Sequence, residues 1–184
     1  MSEEFLIRYG APTLAGIKTG NLFSSPYTTR KQTAEEVRSL NHILVPKGLC
    51  LLPLRYSERR VLLYLYRPKR LRRDFAEPGV RELLSEAGYP AERTERCVSE
   101  LVRRINGEKG FPHEIGLFLG YPSEDVRGFI ENHARKFKLI GCWKVYGDEN
   151  AAQKCFARYK ACTKVYCRQW EHGFRIARLT VSCS

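Results

Sequence analysis

The segment FPHEIGLFLGYP, residues 111–122, places a histidine and a glutamate side by side at the start of an apolar run. An imidazole next to a carboxylate could act as a base with its orienting partner, or the two could bind a polar ligand. If the run is a strand, His113 and Glu114 face opposite sides, because successive side chains alternate. They could also satisfy buried backbone groups where the strand begins. Structural, binding and catalytic roles are therefore all open.

A second group of candidates lies near the start of the chain. The segment APTLAGIKTG, residues 11–20, predicts a short helix that begins at Pro12, a residue favoured in the first turn. Gly10, Thr13 and Lys18 then lie near a helix N-terminus, where free N–H groups and the helix dipole favour an anion. The alternative for Lys18 is simple exposure to solvent.

A third group lies in the segment CWKVYG. Lys144 and Tyr146 share one face of a predicted strand, while Trp143 packs on the other. If that face borders a cleft, Lys144 joins Lys18 in binding an acid. The predicted ligand-binding residues are Gly10, Thr13, Lys18, His113, Glu114, Lys144 and Tyr146.

The cysteines indicate reduced thiols. There are seven, at Cys50, Cys97, Cys142, Cys155, Cys162, Cys167 and Cys183. Their number is odd and they form no Cys-x-x-Cys pair, so neither a disulfide framework nor a zinc site is predicted. Cys97, Cys155 and Cys162 fall on apolar helical stripes and are expected to be unreactive core residues. No motif identifies a cofactor.

Charge is the most distinctive property of the composition. The chain has 32 Lys and Arg against 20 Asp and Glu, for a formal net charge of +12, which attracts polyanions. Much of the excess lies in RRVLLYLYRPKRLRR, residues 59–73. A nucleic acid could bind there through Arg59, Arg60, Arg67, Lys69, Arg70, Arg72 and Arg73. The alternative is a solvated hairpin turn and helix, since no RNP motif or Cys/His finger is present.

Length and hydropathy limit the protein class. At 184 residues and 43% hydrophobic content, the chain fits one globular domain. No apolar run approaches the roughly 18 residues of a membrane-spanning helix, and the N-terminal MSEEFLIRYG is acidic where a secretory signal is basic. We expect a single cytoplasmic domain that makes no contact with a membrane.

Several helices are predicted from apolar stripes and end signals. TAEEVRSLNHILVPKG has capping-box spacing at Thr33 and Glu36. GVRELLSEAG and ERTERCVSELVRRING are amphipathic. SEDVRGFIENHARKF has Ser123 as a potential cap and Ile130 on its inner face. Asp148 is expected to cap the long helix ENAAQKCFARYKACTKVYCRQW.

Strands are predicted from short apolar runs. LCLLPLRY and VLLYLYR form a hairpin around the polar SERR. HEIGLFLG is a third strand, KLIGCWKVYG a fourth, and FRIARLTVS a last short one. The predicted fold is α+β, with a central, largely antiparallel sheet of about four strands covered by helices.

Five segments together resemble one family of bacterial proteins, the domain of unknown function 3793. They are APTLAGIKTGNLFS, LVPKGLCLLPLRY, LLYLYRP, FPHEIGLFLGYPSEDVRGFIEN and GCWKVYGDENAAQKCFARYKACT. The resemblance runs from about Phe5 to about Leu179 and supplies no function. It implies a cysteine immediately before APTLAG, where this chain has Gly10.

That cysteine connects the candidates. At a helix N-terminus its thiolate would be favoured, with His113 as base and Glu114 orienting the ring. We therefore predict that Gly10 lies at a helix N-terminus within a side chain's reach of His113 or Glu114, and that Gly10→Cys yields an acidic thiol.

Three function classes follow from these candidates. The favoured one is a non-catalytic or weakly catalytic pocket protein that binds a small acidic ligand or peptide. The alternatives are a basic nucleic-acid-binding module and a thiol-dependent hydrolase or transferase-like protein. The thiol enzyme would use Cys142, which lies on a predicted strand near the resembling segments.

Overall fold

The computed structural model describes residues 3–107 and 110–182. The chain forms two compact units: unit 1 comprises residues 1–69 with 159–184, and unit 2 comprises residues 70–158. In chain order the elements are α1 (Glu3–Leu14), β1 (Gly20–Pro26), α2 (Arg30–Leu44), a 3₁₀ turn (Val45–Lys47), β2 (Cys50–Tyr56), β3 (Arg60–Tyr66), α3 (Pro68–Ala76), α4 (Pro78–Glu86), α5 (Thr94–Ile105), α6 (Ile115–Phe118), α7 (Ser123–Glu131), β4 (Leu139–Ile140), β5 (Lys144–Val145), α8 (Glu149–Glu171) and α9 (Ile176–Leu179). The predicted α+β class is confirmed.

Unit 1 contains a three-stranded antiparallel sheet in the order β1–β3–β2. The predicted hairpin is confirmed as β2 and β3, which pair from Cys50↔Tyr66 to Tyr56↔Val61. Strand β1, which the sequence analysis did not predict, follows the predicted helix and pairs with the other edge of β3 along its whole length. Its inward side chains, Phe23 and Ser25, alternate with period two, and this short signal was hidden by the preceding helical pattern.

The first helix lies earlier in the chain than predicted. Helix α1 runs from residue 3 to residue 14. It is stabilised by a fully buried stripe that includes Leu6, Ile7 and Leu14. Pro12 therefore lies in its last turn, not its first. Gly16, with φ of 76°, adopts the left-handed conformation that commonly ends a helix.

The cap of α2 also differs from the prediction. Thr29 is the N-cap, and its hydroxyl accepts a hydrogen bond of 3.1 Å from the N–H of Gln32. Thr33, the predicted cap, is buried on the inner stripe with Val37 and Leu40. Because Thr29 precedes Thr33 by four residues, the sequence allowed the helix to start at either threonine. The start at Thr29 places Thr33 within the helix, on its buried face.

Apolar side chains from α1, α2, α9 and all three strands form the core of unit 1. Its buried members are Leu6, Ile7, Leu14, Phe23, Val37, Leu40, Leu44, Leu49, Leu51, Val61, Leu63, Leu65, Ile176 and Leu179. The segment FRIARLTVS, predicted as a strand, instead forms the one-turn helix α9 and contributes two of these side chains. Both ends of the chain therefore build one core.

A buried arginine joins these ends. Arg67 is 1% exposed, and its Nε donates to the carbonyl of Thr13 at 2.7 Å. Its Nη2 donates to the carbonyls of Leu14 at 2.8 Å and Val181 at 2.7 Å. The N–H of Val181 also donates to Leu14. One guanidinium thus closes the end of α1 against the segment after α9.

Unit 2 is mainly helical. The amphipathic helices predicted before and after residue 90 are confirmed as α4 and α5. The ring of Phe118 on α6 lies edge-on to Phe75 at 5.0 Å between centroids and tilted to Tyr89 at 5.5 Å. Such aromatic contacts favour burial of α6 beyond its apolar area alone.

The predicted third strand is wrong. Residues 113 and 114 form a turn, and Ile115–Phe118 form the single-turn helix α6. A short apolar run fits a buried helix as well as a strand, so periodicity could not separate them. The alternation argument for His113 and Glu114 consequently does not apply.

The predicted fourth strand is a small hairpin. Strands β4 and β5 pair antiparallel through Leu139↔Val145 and Ile140↔Lys144. The glycine and its neighbours at residues 141–143 make the turn that we had placed inside one strand. This hairpin forms a separate two-stranded sheet.

The flanking helices match the predictions in part. Asp148 caps α8, since its Oδ1 accepts from the N–H of Ala151 at 3.0 Å. Ser123 begins α7 but makes no capping bond, and Ile130, predicted to face inward, is 37% exposed. Within the described ranges, no helix has both the length and the hydropathy needed to cross a membrane.

Candidate functional site

An apolar cavity of about 310 Å³ lies in unit 2. Its walls come from the turn before α6, from α6 and α7, and from the β4–β5 hairpin. Its polar and aromatic lining residues include His113, Tyr121, Asp125, Phe129, Trp143 and Lys144. The volume lies at the lower end of the range for small-molecule sites.

Two glycines allow the walls to approach closely. A β-carbon on Gly116 would lie 2.8 Å from Val126 Cγ2, so α6 and α7 could not pack as they do with any larger residue. Gly141 leaves room for the ring of Phe156 against the hairpin turn. Trp143 lies edge-on to that ring at 4.5 Å. The indole is therefore held in place as one wall of the cavity.

Asp125 is the polar centre of this wall. It is 3% exposed, and its Oδ2 accepts from Trp143 Nε1 at 2.7 Å. Its Oδ1 accepts from the backbone N–H groups of Tyr146 at 2.7 Å and Gly147 at 2.8 Å. Both carboxylate oxygens are thus occupied by donors from the hairpin and the residues that follow it.

Lys144 brings a positive charge to the cavity. Its Nζ donates to the carbonyl of Ala134 at 2.8 Å and lies 4.8 Å from the ring centroid of Phe137. The ring of Phe129 lies 5.9 Å away. Across the part of the chain that the structure describes, no carboxylate forms an ion pair with this ammonium.

His113 lies on the same cavity. Its ring stands 5.2 Å from Phe129, edge to face. Counting only residues 3–107 and 110–182, neither ring nitrogen has a hydrogen-bond partner within the protein. The imidazole can therefore offer a donor or an acceptor to a ligand.

Glu114 does not line the cavity. Its Oε1 accepts from the hydroxyl of Tyr89 at 2.9 Å and from Arg104 Nη1 at 3.1 Å. Burial, and then the Glu114 carboxylate, raise the pKa of Tyr89 well above its usual range, so the hydroxyl stays a donor. Glu114 thus satisfies buried polar groups, as in the structural alternative, and it lines a second cavity, of about 700 Å³, together with His113.

Next to this network, two arginines surround Glu100. Arg103 and Arg104 both donate to its carboxylate at 2.6–2.7 Å, which lowers the pKa of Glu100 to about 2. A carboxyl whose pKa falls below its unfolded value of about 4.3 stabilises the fold above that pH. This contribution is lost as the pH falls from about 4.3 toward 2.

We predict that Glu100→Gln flattens the acid limb of the stability profile. The variant should lose about 1–2 kcal/mol of unfolding free energy at pH 7 and less at pH 3, because at pH 3 the unfolded carboxyl is mostly protonated and the stabilisation from the lowered pKa is already partly lost. Denaturant unfolding across pH 2–7 measures this. Glu35→Gln, on the exposed face of α2, is the matched control. Equal losses for Glu100→Gln at both pH values would contradict the prediction.

The candidates near the first helix are placed differently from the prediction. Gly10 lies in the second half of α1, away from its N-terminus, and a β-carbon there would lie 2.6 Å from Leu65 Cδ2. The helix dipole opposes a thiolate at that end, so our reason for expecting an acidic thiol in Gly10→Cys is wrong. Gly10 belongs to unit 1 and His113 to unit 2. Their convergence stays a prediction.

Thr13 and Lys18 are buried in unit 1. Thr13 donates its hydroxyl to Asn21 Oδ1 at 2.7 Å. Lys18 follows α1, is 5% exposed, and has its Nζ 5.7 Å from the ring centroid of Tyr159. Neither residue lies at a helix start, so the predicted anion site at that position is wrong, as is the solvent-exposed alternative for Lys18.

Tyr146 packs against α7. A β-carbon on Gly128 would collide with its ring, so this glycine is required for the contact. Tyr146 is not among the residues that line the cavity. Of the seven predicted ligand-binding residues, His113 and Lys144 line this cavity, and His113 and Glu114 line the second one.

The basic residues predicted for the nucleic-acid alternative differ in exposure and in their partners. Arg67 is buried and bonded to backbone carbonyls, so it cannot contact a nucleic acid. Arg60 donates to Ser24, and Arg72 pairs with Glu95 at 2.8 Å. The exposed members of the set are Arg59, Arg60, Lys69, Arg72 and Arg73, and Arg70 is half-buried on α3.

The thiols differ in accessibility. Cys142 is exposed in the turn between β4 and β5, whereas Cys97 is fully buried and burial raises its pKa to about 11. Cys155 and Cys162, predicted to be core, are half-buried. Cys183 lies outside the described residues. No group of three or more potential metal ligands occurs within the described ranges.

Among the six cysteines that the structure describes, we predict that Cys142 reacts first with a thiol reagent under native conditions. Cys97 should react at least about 100-fold more slowly, because only the exposed thiolate is a good nucleophile. Timed alkylation followed by peptide mass spectrometry measures both rates in one sample. Fast labelling of Cys97 before unfolding would contradict its placement.

Sequence reasoning did not identify Asp125 as part of the site. Its position in the first turn of α7 is explained by the helix dipole alone, which favours an acid there. A signal existed: Asp125 falls on the same face as Val126 and Phe129, and an acid on an apolar stripe needs a buried partner. Its partners lie 18–22 residues away, beyond local pattern reading.

Comparison with known proteins identifies a family whose function is unknown. A family model described as "Protein of unknown function (DUF3793)" matches residues 6–180. No curated protein matches the chain. No solved structure matches it either.

Proposed function

We propose, from the premise that the chain belongs to the DUF3793 family of proteins of unknown function, that it binds a small acid with an apolar body in the cavity of unit 2. One observation carries this proposal. Two basic side chains, His113 and Lys144, line an otherwise mainly apolar cavity, and neither is ion-paired with a carboxylate in the described residues. A ligand carboxylate would supply the missing negative charge.

The walls favour an apolar or aromatic body. Tyr121 stacks on Trp143 at 4.7 Å between centroids, and Phe129 contributes a third ring. Burial of a flat or branched apolar group against these rings supplies affinity, while the charged groups fix orientation. Asp125 adds little repulsion, because three N–H donors already stabilise its charge.

The same lining favours binding over catalysis. Within the described residues, the cavity walls contain no Ser, Thr or Cys side chain that could serve as a nucleophile. Glu114 is engaged with Tyr89 and Arg104, so it does not orient His113. Nucleic-acid binding is the less favoured alternative, supported by the net charge and the exposed arginines of α3.

The test uses matched acids and amides. Trp170→Phe removes the other tryptophan of the chain, so that the remaining emission reports on Trp143. Phenylalkyl and C6–C10 aliphatic carboxylates are titrated against their uncharged amides, and calorimetry confirms each affinity. We expect saturable binding of acids and at least about tenfold weaker binding of amides, because a charge-assisted bond is lost.

Variants of the lysine sharpen this test. Lys144→Met should weaken acid binding at least about tenfold, whereas Lys144→Arg should retain much of it. Lys160→Met, at an exposed lysine of α8, controls for the change in net charge. Equal binding of acid and amide would show that the cavity does not recognise the negative charge of a carboxylate. If no compound bound saturably, the cavity would be excluded as a ligand site.

A further inference from the structure

Large apolar side chains stay exposed around the mouth of the cavity. Phe111 is 42% exposed, Phe137 is 38% exposed and Ile140 is 63% exposed. Phe111 and Ile140 line the cavity, and the ring of Phe137 lies beside Lys144. We call these three residues the apolar rim. A ligand small enough for 310 Å³ would leave much of the rim in water, whereas apolar rims around pockets are typical of protein-binding surfaces.

The segment beside the rim is strongly basic. Residues 132–147 contain Arg135, Lys136, Lys138 and Lys144 and no Asp or Glu. The first three are exposed, and none of the four is ion-paired within the described part of the chain. This segment therefore offers positive charge to a partner at the same edge as the rim.

The backbone of this basic segment is fixed in an unusual shape. His133, Ala134 and Lys136 have φ of 49°, 61° and 55°, a left-handed region that residues other than Gly seldom adopt. Lys144 Nζ holds the carbonyl of Ala134, and the N–H of Lys138 donates to Val145 at 2.8 Å. A charged loop held in one conformation loses little entropy on binding.

We propose that the ligand of this cavity and its rim is an acidic peptide segment of a protein partner. This proposal rests on the proposed function and narrows it. One large apolar side chain of the segment enters the cavity between Trp143 and Phe129. Flanking Asp or Glu residues lie over Lys136 and Lys138, and adjoining apolar atoms cover the rim. Charge complementarity selects an acidic segment over a basic or neutral one.

The experiment is a selection from a defined library. Full-length protein is used to select randomised twelve-residue displayed peptides at physiological salt, and enriched peptides are synthesised for fluorescence anisotropy. We expect enriched sequences to combine one Phe, Trp, Leu or Ile with at least three Asp or Glu. Replacing that apolar residue by Ala, or the acids by Asn and Gln, should each weaken binding at least about tenfold.

Protein variants then test the surface. Lys136→Asn removes a charge while suiting a left-handed position, and Phe137→Ser shortens the rim. Each should weaken peptide binding about three- to tenfold, and Lys136→Asn should leave the binding of phenylalkyl acids nearly unchanged. Lys31→Asn, an exposed position on α2, should change neither.

The outcomes distinguish this proposal from the small-acid binding on which it rests. If small acids bind and the selection yields no acidic and apolar consensus, the peptide partner is wrong and the small-ligand function stands. If enriched peptides bind the Lys136→Asn and Phe137→Ser variants as tightly as the wild type, the surface is wrong. If neither acids nor peptides bind, both proposals fail.

Discussion

An Arg67→Met variant is expected to lose about 3–5 kcal/mol of unfolding free energy. The guanidinium donates to the carbonyls of Thr13, Leu14 and Val181, and the arginine is 1% exposed. Methionine fills similar space but removes the charged donor. The Thr13 and Leu14 carbonyls keep backbone donors from Gly16 and Val181, but a lost hydrogen bond to a charged group still costs about 1.5–3 kcal/mol. The loss should fall on unit 1, which contains all four residues.

Two further variants make this prediction specific. Arg67→Lys keeps the charge but cannot present the planar set of donors, so its loss should be intermediate. Arg73→Met, an exposed residue of α3, should change stability by less than about 0.5 kcal/mol. Urea unfolding by circular dichroism gives the free energies, and hydrogen exchange at the Val181 amide locates the effect. A loss for Arg67→Met no larger than that of Arg73→Met would show that the guanidinium contributes nothing net.

The second large effect is expected at Asp125. Asp125→Ala removes the acceptor for Trp143 Nε1 and for the N–H groups of Tyr146 and Gly147. Hydrogen bonds to a charged group contribute about 1.5–3 kcal/mol each, and they are not additive, so we expect a total loss of about 3–5 kcal/mol. Because these bonds hold the hairpin against α7, acid binding in the cavity should be lost as well.

Asparagine distinguishes the roles of the two oxygens. Asp125→Asn keeps one carbonyl oxygen for the two backbone donors but turns an N–H₂ group toward Trp143 Nε1, so its stability should be intermediate. In the Trp170→Phe background, the near-ultraviolet circular dichroism of Trp143 should weaken in both variants. Glu131→Ala, an exposed acid at the end of α7, is the control. An Asp125→Ala protein with wild-type stability and an ordered indole would refute this role.

The correct fold predictions came from local signals. The β2–β3 hairpin was readable because two apolar runs flank a short polar turn, and α4 and α5 because their apolar residues repeat at helical spacing. The errors at β1 and α6 have one cause. Each is a short segment whose conformation is decided by tertiary neighbours, such as the β3 edge for β1.

Part of the candidate site could be found from residue types. His113 and Lys144 were chosen as basic side chains beside apolar runs, and both line the cavity. Gly10 was misplaced because Pro12 suited a helix start, whereas the stripe of Leu6 and Ile7 places it late in α1. Asp125 was missed because its function depends on N–H groups that only the folded chain brings near it.

The hydrogen bond between Arg67 and Val181 limits how early unit 1 can complete its folding during synthesis. These residues are 114 positions apart, and at roughly 5–20 residues per second a ribosome needs about 6–23 s to make the stretch between them. Throughout that interval the nascent sheet of unit 1 lacks Ile176 and Leu179, two members of its core. Residues 70–158 are meanwhile complete enough to collapse first. A nascent chain that has reached residue 160 should therefore expose apolar surface from its earliest segments and engage a ribosome-associated chaperone, and release should follow translation of α9.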